Sequence, residues 1–457
     1  MGHHLISAES AQSNIPLIGT SRELTAPASG AAPEQGGNVN SIVIRTHEHY
    51  GDIEERLDFP DDWDIQVQHM TGHNAPVLGA DDIMQRLRTP IGTQTLRELA
   101  RGKGSAVITF DDLTRPTPIH AVAPLVVEEL LAAGVPAERI VFLGSYGTHR
   151  SLEQDEAVRK LGQELLKKFA WINHNIWDNL TEVGTTSAGN VITINRTFAE
   201  SDLRITLSGV KIHGFAGYGG GAKAILPGIA GFDTVRYNHT VVKETFTEPH
   251  AGVIPVYGNE IRADMEEAAR LARVDFSVQI VYNGERRVSG IFAGDIIAAH
   301  RTASRFAINH YRTDVVADPD VVVNNSYPQA TQAKVNSWIN SVRAGGSAVL
   351  IIQHPQGVSA MHYFEQHREG QGGRTQLDQL GEVKPPLPGD RQLIVFSQYA
   401  DKRLAARFPT DTVFTDRWDE VIARIQARHQ GRLRVAVYPY AAIQHRETKL
   451  DEPSGAA

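Results

Sequence analysis

The 457-residue chain has no cysteine. This excludes a disulfide framework, a thiolate zinc site, an iron–sulfur cluster and a cysteine nucleophile. A soft metal bound here must take its sulfur ligands from outside the protein. Apolar runs are short. Even Ile351-Ile352 with the residues before them falls far below the roughly 20 residues a spanning helix needs, so no membrane association is expected. The first residues lack the basic-then-apolar order of a signal segment, and a cytoplasmic location is the expectation. Lys and Arg form no long block, and 45 basic against 53 acidic residues leave a formal charge of -8. Nucleic acid is therefore not an expected partner. What remains is ordinary for a globular protein: with 41 % hydrophobic residues the chain can fill cores, and its length favours two or three of them.

Residues 1–40 are rich in Ser, Ala, Gly, Pro and Gln without periodicity, and are read as a flexible leader. Ile42-Val43-Ile44 and, after the turn Pro60-Asp61-Asp62, Trp63 to Val67 read as strands of a small opening sheet. Helix and buried strand then alternate. Thr95–Arg101, Ile119–Ala133 and Asp155–Phe169 read as helices, and Ser105–Phe110, Arg139–Leu143 and Leu203–Leu207 as strands. A second such rhythm follows a long helix over Ile296–Tyr311, with strands near Val321–Val323, Ser347–Ile352, Gln392–Phe396 and Arg434–Tyr438. The fold class expected is α/β, as two domains with parallel-type sheets and an active-site cleft between them. The expected bounds are 41–312 for the catalytic and cofactor-binding domain and 313–440 for the second. Residues 441–457 form a tail that can return to the first domain. The Gly/Pro/Gln-rich stretch 366–388 reads as a loop over the second domain.

In such sheets ligands gather at the carboxyl ends of strands. Three such places carry reactive groups. Asp111-Asp112-Leu113-Thr114-Arg115-Pro116 offers an arginine fork for a carboxylate or phosphate, or else only an N-cap and a solvated Arg. Gly144-Ser145-Tyr146-Gly147-Thr148-His149-Arg150 presents an imidazole at a strand end, although a loop His taken alone is more often a solvated bystander. From Val210 to Lys223, five glycines crowd a loop that lets backbone N–H groups approach an anion, with Lys223 at its end. Ala222 and Ala224 replace the Gly and Ser/Thr of a P-loop, and the glycine spacing is wrong for a dinucleotide fingerprint. The loop holds something phosphorylated or planar by another scheme.

Together, Asp112-x-Thr114-Arg115-Pro116, Gly147-Thr148-His149-Arg150, Gly184-Thr185-Thr186, His213 with the glycine loop and Lys223, Pro227-Gly228 and Asn238-His239 resemble the nickel-pincer-nucleotide-dependent lactate racemases and their relatives. Order and spacing match from about residue 45 to 240, notably the ten-residue step from His213 to Lys223 and the 26-residue step from His213 to His239. The resemblance implies a racemase or 2-epimerase of a 2-hydroxy carboxylate, working by reversible hydride transfer. It implies a lysine-linked pyridinium-3,5-bisthiocarboxylic acid mononucleotide that binds nickel, with Lys223 as attachment point and His239 as nickel ligand. Asp112, Thr114, Gly220 and Gly221 then contact the cofactor, and cofactor-synthesis proteins become partners. Such a cofactor brings its own sulfur, which suits a chain without cysteine. His149 and His213 match the two acid/base histidines, one on each side of the substrate, while His174 matches a polar position that is not catalytic. Arg115, Gln332 and Lys334 match substrate contacts.

The chain departs from the family pattern at Tyr327-Pro328-Gln329-Ala330-Thr331-Gln332-Ala333-Lys334, where the spacing is altered. A longer or more polar hydroxy acid than lactate is the expectation, with Tyr327, Gln329, Thr331 and Asn336 available to bond extra hydroxyls. Two other readings compete. One is a nucleotide- or solute-binding protein without turnover, in which Lys223 is only a cation and His239 a helix cap. The other is a zinc-dependent hydrolase built on His47-x-His49, which alternation along a strand would put on one face.

Overall fold

The computed structural model describes residues 40–214, 216–242, 258–332, 338–357, 387, 389–405 and 408–446. The chain starts with an antiparallel hairpin of β1 (Asn40–Thr46) and β2 (Ile53–Phe59), then enters β3 (Asp64–Val67). Thr95 caps the helix Leu96–Ala100 by accepting the Glu98 N–H while the Glu98 carboxylate accepts the Thr95 N–H, a reciprocal pair that satisfies two end donors. Next come β4 (Ala106–Phe110), β5 (Ile140–Gly144) and β6 (Ala170–Ile172), linked through the helices Ile119–Ala132 and Gln154–Leu161. The hairpin of β7 (Leu180–Thr185) and β8 (Val191–Asn195) precedes β9 (Leu203–Gly209), and β10 (Ile212–His213) pairs with β11 (Gly217–Tyr218). Then follow β12 (Phe276–Tyr282), β13 (Val288–Gly294) and the helix Ile296–His310, whose first N–H groups are capped by Asp295. The chain ends through β14 (Val321–Asn325), β15 (Ser347–Ile351), β16 (Gln392–Phe396), β17 (Val413–Thr415) and β18 (Arg434–Tyr438).

Two six-stranded sheets organise these elements. The first has the order β13-β12-β9-β4-β5-β6, parallel except for β13. Every residue of β4 is buried, as expected of an apolar strand covered on both faces. The chain runs outward from β4 to β6, then returns to β9 on the other side of β4, so the strand order reverses between β4 and β9. The second sheet, β17-β16-β15-β14-β18-β3, is parallel throughout and reverses between β14 and β18. Crevices at such reversals, beyond the carboxyl ends of the strands, are where α/β sheets bind ligands. The architecture is α/β, as expected.

Local details differ from the sequence reading. The expected helix Asp155–Phe169 breaks at Gly162, whose φ of +86° suits glycine, into Gln154–Leu161 and Gln163–Leu166. The small opening sheet does not include Trp63–Val67. Ile42–Ile44 pairs instead with β2, and β3 joins β18 at the edge of the second sheet, where Ile44, Leu57, Phe59 and Trp63 share a core with Val321, Val349 and Val435. Ile443, beyond β18, packs with Met70, Val210, Tyr282 and Tyr311 near the first sheet, and His445 pairs with Arg312. The leader 1–39 and nearly all of the loop 366–388 lie outside the described residues. Among the described residues no helix is long and apolar enough to cross a membrane.

Candidate active site

The reversal between β4 and β9 brings the Asp111–Pro116 segment beside the loop from Lys211 to Lys223. The segment after β5 joins them. Ser145 Oγ donates to the Ala224 carbonyl at 2.8 Å, and the Gly147 N–H donates to the Gly228 carbonyl at 2.8 Å. Gly147 has φ +60°, and a Cβ there would lie 3.0 Å from Pro227, so the close approach requires glycine.

Asp112 and His149 form the centre of this edge. Asp112 Oδ2 lies 2.7 Å from His149 Nδ1, while Oδ1 accepts the Thr114 N–H at 3.1 Å and the Thr114 hydroxyl at 2.5 Å. Both Asp112 and His149 are buried. Burial by itself would raise the Asp112 pKa, but the charge and hydrogen bond of His149, with Arg115 and Thr114, outweigh it and hold the carboxyl well below its usual range. A carboxylate on Nδ1 places the ring proton there and leaves Nε2 as the basic nitrogen. His213, on β10, has the opposite arrangement: its Nδ1 accepts the Ala216 N–H at 3.3 Å, so the neutral ring carries its proton on Nε2. Arg115 donates to the Thr114 hydroxyl at 2.8 Å, and its own carbonyl is held by Lys160 Nζ at 2.8 Å and by His49 Nε2 at 3.1 Å.

The glycine loop is fastened from below. Gly220 has φ +79°, and a Cβ there would come within 2.7 Å of Gln279 Oε1, which instead accepts the Gly221 N–H at 2.8 Å. The buried Arg262 guanidinium donates to the carbonyls of Ala216 at 3.0 Å and Gly220 at 3.2 Å, and to that of Tyr218. Burial lowers its pKa to about 10, which leaves it charged at neutral pH. Lys223 stands half-buried in the turn that ends the loop. His239 lies on the helical turn Asn238–Val242, its Nδ1 3.1 Å from the Val235 carbonyl, and Asn238 anchors that turn through Asp264, which also binds Thr186 and Asn190. This gives Thr186 of the Gly184-Thr185-Thr186 motif a structural role. His174 bonds the Ala230 carbonyl at 3.0 Å, and burial lowers its pKa to about 4.

Residues 50–250 match the model of the lactate racemase N-terminal domain. The chain is 29 % identical over 373 residues to a lactate racemase of Lactiplantibacillus plantarum, covering 79 % of this chain and 81 % of that protein. It is 27 % identical over 392 residues to a lactate racemase of Thermoanaerobacterium thermosaccharolyticum, covering 83 % and 85 %. The apoprotein structure of the T. thermosaccharolyticum lactate racemase aligns with TM-score 0.65 at 22 % identity, over 88 % of this chain and 99 % of that one. A Thermotoga maritima protein aligns with TM-score 0.57 at 18 % identity, over 80 % and 97 %. These likenesses show that the fold is shared.

The second sheet reaches this edge of the first through Gln329, which follows β14. Its Nε2 donates to the Thr114 carbonyl at 2.5 Å, and its Oε1 accepts from the buried Lys211 ammonium. Gln332 belongs to the short turn Ala330–Gln332, and Lys334 and Asn336 lie outside the described residues. Tyr327 donates to Asp52 at 2.7 Å. Sequence reasoning gave Lys211 no role, although its place two residues before His213 was a signal. Arg262, far along the chain in a helix, carried none. The expectation that His47 and His49 share a face fails, because β1 ends at Thr46 and both take positive φ, +60° and +66°. His47 turns to the Tyr399 hydroxyl at 2.8 Å and His49 to Arg115. Among the described residues, no group of three His, Asp or Glu is placed to hold a metal ion.

Two outcomes test this geometry. Arg262→Met strands three loop carbonyls and should destabilise the protein by about 3 kcal/mol, read from the urea midpoint at unchanged slope. Because the Asp112 pKa is lowered by folding, its contribution to stability is present above the usual carboxylate range and fades as pH falls through the folded value. The stability gap between wild type and Asp112→Asn should thus be about 2 kcal/mol at pH 7 and shrink below about pH 4. An equal gap at both pH values would contradict the pairing.

Proposed function

We propose that this chain racemises or 2-epimerises a 2-hydroxy carboxylate with a lysine-linked nickel-pincer nucleotide. The observation that carries this reading is the Asp112-oriented His149 beside Arg115, at the same strand edge as the glycine loop and Lys223. Relatives named lactate racemase that match most of the chain support it.

The residues present fit such a group. Gly220 and Gly221 line a loop where a Cβ would strike Gln279 or the His300 ring, so backbone alone faces whatever the loop holds. The Val235 carbonyl on His239 Nδ1 favours a lone pair on Nε2, the arrangement of metal-binding imidazoles. Lys223 would carry the covalent link, with Asp112 and Thr114 close to the same edge. When bound, the nucleotide supplies the acceptor and donor of hydride.

The chain's own residues would bind the substrate and handle protons. The Arg115 fork holds the carboxylate, with Gln332 and Lys334 as further contacts. His149 Nε2 takes the hydroxyl proton, and Asp112 stabilises the imidazolium that results. His213, its proton on Nε2, acts as the donor for the other enantiomer. In the reverse direction the two exchange roles, so the opposite tautomers suit an enzyme that must invert either hand.

Protein made together with the cofactor-synthesis proteins should carry a mass adduct that maps to Lys223 and disappears in Lys223→Ala. An adduct elsewhere would overturn the attachment site. Substrate deuterated at the reacting carbon should keep its label through inversion across a panel of 2-hydroxy acids. Wash-out to solvent would replace hydride transfer by proton abstraction, and a cofactor-loaded protein that inverts none of the panel would end the racemase reading.

A further inference from the structure

The loop His47–Asp52 is wedged between the two sheets and touches both. Toward the first sheet, His49 Nε2 bonds the Arg115 carbonyl at 3.1 Å, and Asp52 pairs with Arg286 at 3.2 Å in the turn between β12 and β13. Toward the second, the His47 N–H donates to the Gln353 carbonyl at 3.0 Å after β15, and the Asp52 carboxylate accepts the Tyr327 hydroxyl at 2.7 Å after β14. Glu48 is wholly buried among them. Its Oε1 accepts the Ala330 N–H, the residue next to Gln329, and its carbonyl lies 3.1 Å from His354 Nε2.

The loop backbone is strained to do this. His47, His49 and Asp52 all have positive φ, at +60°, +66° and +47°. Left-handed conformations at non-glycine residues cost of order 1 kcal/mol each and persist where surrounding contacts over-determine them, which is common beside functional sites. His47, Glu48 and His49 precede the matched residues 50–250, and Tyr50 to Asp52 fall within them.

We propose that Glu48 and His49 are positioning residues of the active site: one bond sets the Gln329 turn of the second sheet and the other sets Arg115 of the first, so the loop fixes the two halves of the substrate site against each other. This rests on the racemase reading only for what the site binds. The carboxyl of Glu48 is suited to a static role because burial raises its pKa to about 8, against the opposing pull of Arg286 and the Ala330 and Thr331 N–H groups. Tyr327 and His354 are the other titratable groups facing it, and burial keeps His354 neutral by lowering its pKa to about 4. A folded pKa above the unfolded value means that the folded state prefers the neutral acid, and this preference is lost as pH rises through about 8.

The test compares Glu48→Ala, Glu48→Gln and His49→Ala in the full chain. Glutamine keeps an oxygen for the Ala330 N–H and mimics the neutral acid; alanine keeps neither. In Glu48→Ala, amide exchange across 326–332 should accelerate roughly tenfold or more, with Glu48→Gln close to wild type at pH 7. With cofactor-loaded protein, Glu48→Ala and His49→Ala should raise KM about tenfold with a smaller effect on kcat, and Glu48→Gln should flatten any activity loss near pH 8. Unchanged exchange and unchanged KM in Glu48→Ala would overturn the proposal. If Glu48→Ala prevents folding, His49→Ala decides it: a KM raised about tenfold with exchange across 326–332 near wild type supports the loop's positioning role, and an unchanged KM overturns it. The exchange readout needs no substrate, so an inactive wild type would sink the racemase reading while leaving this result to stand or fall separately.

Discussion

Asp112 is a carboxylate taken out of water, and a buried charge is tolerated only when its lone pairs are filled. His149 fills one side and Thr114 the other, and Thr114 in turn receives Arg115 through its hydroxyl and Gln329 through its carbonyl. One electrostatic requirement therefore orders the His149 imidazole, the Arg115 cation beside it and the contact to the second sheet. The pairing also selects the tautomer of His149, which determines the nitrogen that can act as a base.

The glycine loop poses the opposite problem, since a backbone free to approach a ligand has no side chains to hold its shape. Its carbonyls are gripped by Arg262 and His300, and its amides partly by Gln279, all buried beneath it. Asp264 does the same for the turn that carries His239, through Asn238. Rigidity thus comes from polar side chains on elements later in the chain, so the loop can remain rich in glycine.

Much of the first sheet is legible in the sequence, because its strands are apolar runs separated by capped helices and their periods are local properties. The segments after β4, β5 and β9, singled out in the sequence, meet at one edge that carries Arg115, His149 and Lys223. Resemblance, rather than period or composition, assigned their roles. Three local features depart from the periodic pattern, each for a reason visible only in the folded chain. Gly162 breaks a helix that the apolar pattern continues, the left-handed turn after β1 sends His47 and His49 to different partners, and β3 leaves its sequence neighbours for β18.

Taken alone, the sequence determined the absence of thiol chemistry, the α/β rhythm and the positions of glycines beside reactive residues, since composition and short-range periodicity do not depend on distant parts of the chain. Tertiary structure decided which groups meet. Asp112 with His149, Gln329 with Thr114 and Lys211, and Glu48 with Ala330 are separated by tens to hundreds of positions. Their pairing follows from the order of strands in each sheet and from the demand that buried polar groups find partners, and neither is encoded in any one stretch of the chain.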